Sequence, residues 1–176
     1  MQVYLNENVF IGLILSAVEV YKKECFGLLL GYRNPDKFIV EHAIPYQSVK
    51  RGHSWTELRP DKWTLITEVL KNFPKLDVIG DFHSHTMYRD VRADVTLSTE
   101  DIKYMDEADL QIVIAVNENK RARSKLFQFD HTVSGALDKY QFKIAAYYFE
   151  QGRRNGNARP KLAEISGPLS TRIGRT

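Results

Sequence analysis

The sequence predicts an α/β domain, and three observations carry that expectation. One run, Val9, Leu13, Ala17 and Val20 with Phe10 and Ile14 beside them, repeats at helical spacing. Other runs, Phe26 with Leu28 to Leu30, Leu76 to Ile79 and Leu110 to Val116, are short and apolar on both faces, as strands covered from both sides are. Turn signals such as Asn34-Pro35-Asp36 and Asn117-Glu118-Asn119-Lys120 separate them. With 176 residues, 43% apolar and 27% charged, the chain suits one domain over 1–165 followed by a loosely held tail, 166–176.

Taken in order, Asn6 or Asn8 caps a first helix over Val9 to Tyr21. Glu24 to Tyr32 then forms a strand with Glu24 at its mouth, where a carboxylate is ordinarily a solvated charge. A hairpin returns along Phe38 to Ser48. The polar stretch Val49 to Leu58 holds Trp55, which either packs down on the domain or anchors a partner. Pro60 opens a second helix with Trp63, Ile66, Leu70 and Phe73 on its inner face. The strand Leu76 to Phe82 carries His83 and His85 at its C-terminal end. Thr86 to Leu97 is a long polar loop, and loops of that length in compact domains are usually functional. Ser98 caps a third helix reaching Ala108; Leu110 to Val116 is a buried strand, and Ala122 to Phe129 pairs back on it. Alternation of Tyr140, Phe142 and Ile144 with charged neighbours makes Lys139 to Phe149 a strand. Gly152 to Pro160 reads as a basic turn.

Composition narrows the function classes. A net charge of +3 gives no argument for nucleic acid. Cys25 is the single cysteine, which rules out an intramolecular disulfide or a Cys-rich zinc site and suits a reducing setting. The apolar stretch Val9 to Val20 is interrupted and too short for a bilayer, and no signal peptide is visible. The expectation is a soluble cytoplasmic protein without membrane or nucleic-acid partners.

The chemistry lies in Gly80-Asp81-Phe82-His83-Ser84-His85 and Ser98-Thr99-Glu100-Asp101. Strand alternation turns His83 and His85 the same way, and Asp101 falls in the first turn of a helix. Two imidazoles and one carboxylate make three zinc ligands with an open fourth position, where water is acidified to a pKa of roughly 7. The plainer readings are an exposed His-x-His pair and a simple capping pair at Ser98 and Asp101. Glu24 is placed to move protons, and Ser98 to donate to an oxyanion. Asp81 shares a face with His83 and either orients it or is an ordinary strand-end charge.

Together, Glu24 before Gly27-Leu28-Leu29-Leu30-Gly31, then His83-Ser84-His85, then Ser98-x-x-Asp101, resemble the JAMM motif of the MPN (Mov34/PAD-1) zinc metalloproteases. Ala43 to Ser48 is similar to that family's strand after the Glu-bearing hairpin, and the resemblance spans about residues 3 to 130. It implies a mixed β-sheet sandwiched between helices, akin to cytidine deaminases. It implies one Zn2+ per chain on His83, His85 and Asp101, with Glu24 as acid/base and Ser98 as oxyanion donor. It implies hydrolysis of peptide or isopeptide bonds after ubiquitin, a ubiquitin-like protein or a sulfur-carrier protein.

Two departures stand out. Thr86 follows the second histidine where the family usually has Pro, and the gap from His85 to Ser98 is several residues longer than the common spacing. The longer gap makes Asp90 or Asp94 an alternative third ligand, and the loop itself a candidate wall of a substrate groove facing Trp55. A metallo-β-lactamase, a TIM-barrel hydrolase and a nucleobase deaminase lack support in the residues around the histidines, the chain length and the cysteine count respectively. The serious rival is a non-catalytic scaffold or metal-stabilised binding module.

Overall fold

The computed structural model describes residues 1–48, 50–51, 56–57, 59–106, 109–118, 125–150 and 159–167. In chain order the elements are β1 (Gln2–Leu5), α1 (Glu7–Glu19), β2 (Phe26–Arg33), β3 (Lys37–Pro45), β4 (Lys50–Arg51), β5 (Thr56–Glu57), α2 (Pro60–Leu70) and β6 (Asp77–Thr86). They continue with α3 (Thr99–Tyr104), β7 (Leu110–Glu118), β8 (Lys125–Asp130), β9 (Thr132–Leu137), β10 (Tyr140–Tyr148), β11 (Lys161–Leu162) and β12 (Glu164–Ser166).

The protein is mostly β, which corrects the expectation of an α/β sheet sandwiched between helices, the cytidine-deaminase-like fold that the MPN resemblance implied. One sheet runs β12-β1-β3-β2-β6-β7-β10-β9-β8, with β11 attached to β10 and the β4–β5 hairpin apart. β12 pairs in parallel with β1 while β11, just before it, pairs with β10. Residues 161–166 therefore stitch one end of the sheet towards the other, and β12 also packs against β8, β9 and β10. The sheet curls almost to closure, like a barrel.

Helices cannot sandwich this sheet because, among the described residues, only α1 covers it. Asn6 Oδ1 accepts from the Val9 amide at 2.9 Å and caps α1. Such a cap is worth about 1 kcal/mol. The helix then buries Val9, Phe10, Leu13, Ile14 and Ala17 across β3, β6 and β7. Each large side chain removed from water there contributes roughly 1.5–3 kcal/mol. In contrast α2 buries no residue: Trp63, Ile66 and Leu70 are only half-buried and Phe73 is exposed. Six-residue α3 also buries none and ends at Tyr104, short of the expected Ala108. The strands are apolar on both faces, but the second face is covered by extended chain. Val95, with Ala93 and Leu97 beside it, packs on Val113 and Ala115 of β7 and Ala145 of β10.

Other expectations are corrected locally. β1 has no forecast in the pattern, and β7 pairs with β10 while β8 pairs with β9. Glu24 lies just before β2, which begins at Phe26. Ser166, the expected start of a loose tail, is instead paired with Tyr4. Trp55, residues 151–158 of the basic turn and residues 168–176 of the tail lie outside the described residues. No helix among the described residues is long and apolar enough to cross a membrane.

Curvature has a local source. The register of β2 shifts against β3 between Leu30 and Gly31, and against β6 between Leu29 and Leu30. Such bulges bend a strand and increase its twist. At the second shift Gly80, opposite Leu29, adopts φ +153°, and a Cβ there would overlap the Leu110 carbonyl of β7. Gly80 thus lets β6 bend while staying paired to β7, three residues before the first histidine. Gly80→Ala is expected to lose about 3 kcal/mol or more of unfolding free energy in urea titrations, the range of backbone strain combined with overpacking. A variant within 1 kcal/mol of wild type (about a fivefold change in the unfolding constant) would contradict this account of the bend.

Candidate metal centre

Strand β6 divides its side chains between two tasks. His83 and His85 pair across to Val113 and Ala115 of β7. Alternation therefore puts Asp81, His83 and His85 on one face, and Phe82 and Ser84 on the other, where both are fully buried. Ser84 is more than a spacer. Its Oγ accepts from the Cys25 amide at 2.9 Å, and its own amide donates to the Cys25 carbonyl at 3.2 Å. This two-way clamp fixes the chain just ahead of β2. Phe26 pairs with His83, so the same register carries Glu24 alongside His85.

The third ligand comes from the start of α3. Ser98 Oγ accepts from the Asp101 amide at 3.1 Å while Asp101 Oδ2 accepts from the Ser98 amide at 2.7 Å. This reciprocal cap holds the carboxylate in one rotamer and turns it to the histidines. The capping reading holds, and it leaves the Asp101 carboxylate placed where it could also serve as a ligand.

His83 Nε2 lies 3.1 Å from His85 Nε2 and 3.4 Å from Asp101 Oδ1, and His85 Nε2 lies 3.6 Å from Asp101 Oδ2. A tetrahedral divalent cation with bonds of about 2.0–2.1 Å sets its ligand atoms roughly 3.3 Å apart. The imidazole pair and the two contacts to separate Asp101 oxygens lie around that length, and one ligand atom from each residue falls within 4.8 Å of the others. The residues fit a metal ion, and each offers one ligand atom to it.

Protonation reinforces the fit. His85 Nδ1 sits 2.7 Å from the Asp94 carbonyl oxygen, which can only accept. Nδ1 therefore carries the hydrogen, and in the neutral ring Nε2 presents its lone pair to the carboxylate of Asp101 and to His83. A hydrogen on His83 Nε2, a second ring proton on His85 or a metal ion would each satisfy that lone pair. The charges respond accordingly. Burial pushes the Asp101 carboxyl up, but hydrogen bonds from His83 and His85, the His83 charge and the Ser98 amide hold it well below the usual carboxylate range. Burial pulls His85 down, yet Asp101 and the Asp94 carbonyl raise it overall.

Glu24 faces the same charges from outside the triangle. Burial lifts its pKa to about 7, against the pull of His83 and His85 and with a push from Asp101. Asp81 is raised by burial to about 6, with His83 and a hydrogen bond from Gln111 opposing. That bond, Gln111 Nε2 to Asp81 Oδ1 at 3.3 Å, is the hydrogen bond that Asp81 makes, and its charge acts on His83 from the same strand face.

The structure thus brings together His83, His85 and Asp101, with Glu24 beside them and Ser98 at the rim. It leaves out the alternatives. Asp90 is exposed in the turn between Tyr88 and Val91. The Asp94 carboxylate turns to Lys143 at 3.1 Å, and its backbone carbonyl alone meets the site. Sequence reasoning missed that carbonyl, which no side-chain pattern announces, and the Ser84 clamp, whose signal was a small polar residue between two histidines.

Glu24 also sets a pH test on metal-free protein. Its folded pKa is raised from 4.5 to about 7, so folding favours the protonated form. The native state is therefore penalised progressively as pH rises from 4.5 through 7, and fully above that. Glu24→Gln removes the penalty. Thermal melts after chelation should show the variant gaining on wild type at pH 8 and far less at pH 5. An equal difference at both pH values would rule out a buried ionising Glu24.

No family model matches the sequence, and no curated protein matches it. Among solved structures, a protein of Desulfitobacterium hafniense studied in solution is similar, with a TM-score of 0.62 over 95% of this chain and 92% of that one. The two are 16% identical, so the likeness is one of fold alone.

Proposed function

We propose that the protein is a zinc-dependent hydrolase of peptide or isopeptide bonds, with the site chemistry of the JAMM motif. The observation that carries this reading is the convergence of His83, His85 and the Asp101 carboxylate, with contacts of 3.1 to 3.6 Å, and a buried carboxyl group beside them. Two histidines and one carboxylate with an open position suit catalytic zinc. A zinc ion bound there supplies Lewis acidity, polarising the scissile carbonyl and acidifying water to a pKa of about 7.

The protein's own groups do the rest. Glu24 accepts a proton from the attacking water and returns it to the nitrogen as the carbon–nitrogen bond breaks. A carboxyl group whose pKa lies near neutrality can do both, and a nearby cation draws it towards the base form. Ser98 Oγ uses a lone pair on the Asp101 amide, which leaves its hydrogen to donate to the carbonyl oxygen as negative charge develops. The Asp94 carbonyl keeps His85 in the ligating tautomer. The substrate class, a ubiquitin-like or sulfur-carrier protein and its conjugates, rests on the resemblance of Glu24, His83-Ser84-His85 and Ser98-x-x-Asp101 to that motif.

A second reading, a binding module whose metal only stabilises it, draws on α2. Leu65, Val69 and Phe73 are more than half exposed at four-residue spacing, a stripe that a monomer has no internal reason to show. One experiment separates the two. Purified protein is expected to carry about one zinc per chain, and wild type to shorten or release host β-grasp carriers detected by mass spectrometry. Glu24→Gln should keep the zinc and lose about 100-fold or more in rate. Protein that neither carries nor takes up zinc, or a Glu24→Gln variant as active as wild type, sinks the hydrolase mechanism. Zinc bound without any cleavage favours the module.

A further inference from the structure

We infer that residues 92–95 form a strap that sets the metal ligand His85, and that Asn117, Lys143 and Tyr147 are positioning residues for it. This rests on the metal site proposed above and concerns groups well outside the ligand set.

The strap lies over a single face of three strands. In the register of β6 with β7, His83 and His85 stand beside Val113 and Ala115. In that of β7 with β10, Val113, Ala115 and Asn117 stand beside Ala145, Lys143 and Gln141. Ligands and anchors thus share one side of the sheet, and the chain leaving β6 folds back across it.

Four consecutive residues are then held one by one. The Arg92 guanidinium donates to Gln141 Oε1. Ala93 is gripped at both backbone groups, its amide donating to Asn117 Oδ1 at 2.8 Å and its carbonyl accepting from Asn117 Nδ2 at 3.0 Å. Asp94 Oδ1 accepts from Lys143 Nζ at 3.1 Å. The Val95 carbonyl accepts from Tyr147 Oη at 3.1 Å, and its side chain is buried on Val113, Ala115 and Ala145. At the centre of this grip the Asp94 carbonyl meets His85 Nδ1 at 2.7 Å.

Such density of anchoring has a chemical reason. A backbone carbonyl in a loop can hold an imidazole only if the loop itself is fixed, because a ligand ring rotated by a few tens of degrees no longer aims its lone pair. Asn117 is the main anchor: it is 7% exposed, and its amide mimics a neighbouring strand for Ala93. Lys143 and Tyr147 sit nearer the surface and fix the residues on either side of the carbonyl.

The test measures zinc affinity by competition with a chromophoric chelator, and the visible ligand-field spectrum after cobalt(II) substitution. Asn117→Ala is expected to weaken zinc about 10- to 100-fold, the usual effect of removing support behind a metal ligand, and to shift the cobalt bands. The double variant Lys143→Met/Tyr147→Phe, at two partly exposed positions, should weaken zinc about threefold or more. Lys143→Arg should restore the wild-type spectrum. A purely structural role would lower the melting temperature of metal-free protein and leave affinity and spectrum unchanged. That result, in either folded variant, overturns the strap while the metal site stands. Should Asn117→Ala fail to fold, the double variant decides. Wild-type protein that binds neither zinc nor cobalt removes the metal site and the strap with it.

Discussion

Everything at this site follows from one repulsion. Asp101 and two imidazole nitrogens are held within 3.6 Å of each other, and one of those nitrogens has its proton fixed on the far side of the ring. Without a hydrogen or a cation between them, the lone pairs of these groups point at one another. Among the described residues, no Lys or Arg bonds to these groups to fill that role. The surrounding protein supplies instead rigidity: the Ser98–Asp101 cap, the Ser84–Cys25 clamp and the Asp94 carbonyl each remove a rotation that would relieve the crowding. Held in this way, the three side chains could take a cation between them.

The curled sheet explains how those constraints meet. β6 lies near the centre of the strand order, with β2 antiparallel on one side and β7 parallel on the other. Its neighbour β2 delivers Glu24 from the segment before its start, and β7 begins beyond α3, which delivers Asp101. A parallel β6–β7 pair needs a crossover, and such connections normally pack a helix on the sheet. Here α3 is too short to do so, and the extended segment 86–97 covers the face. The long gap between His85 and Ser98 is thus the second layer of the protein on that side, which is why it carries Val95 and Leu97 as well as charges.

This also separates what was legible in the residues from what was not. His83, His85 and Asp101 could be read because strand alternation and helix capping are local rules, and each rule acts within about four residues. Glu24 could be read as a strand-mouth carboxylate, and the register of Phe26 with His83 is what brings it in. The α/β architecture failed for a non-local reason. Apolar strand faces state that something covers them, not whether a helix or an extended strap does, and the helical spacing of Trp63, Ile66 and Leu70 does not state that α2 is packed. Closure was equally hidden, since it depends on β11 and β12, two short strands of ordinary composition at the far end of the chain. Asp94 is not placed as a ligand: its carboxylate turns to Lys143, and only its backbone oxygen meets His85, a contact with no side-chain signature.

The distribution of imperfect polar groups follows the same line. Among the described residues, two buried side-chain atoms lack a hydrogen-bond partner, Thr86 Oγ1 and Gln111 Oε1. Thr86 follows His85, and Gln111 donates to Asp81 on the ligand face. Glu24 and Asp81, the carboxyl groups raised to about 7 and about 6, lie against these same strands. Buried unsatisfied atoms and desolvated acids each weaken a fold, and chance would scatter them around the sheet. They lie along β6 and its neighbours, with Asp81 and Gln111 on the face of the histidines and Thr86 on the opposite face with Phe82 and Ser84. Natural proteins depart from good packing chiefly where function requires it. What singles out β6 is the pair of desolvated carboxyl groups, Glu24 and Asp81, next to a His83, His85 and Asp101 group that could hold a metal ion.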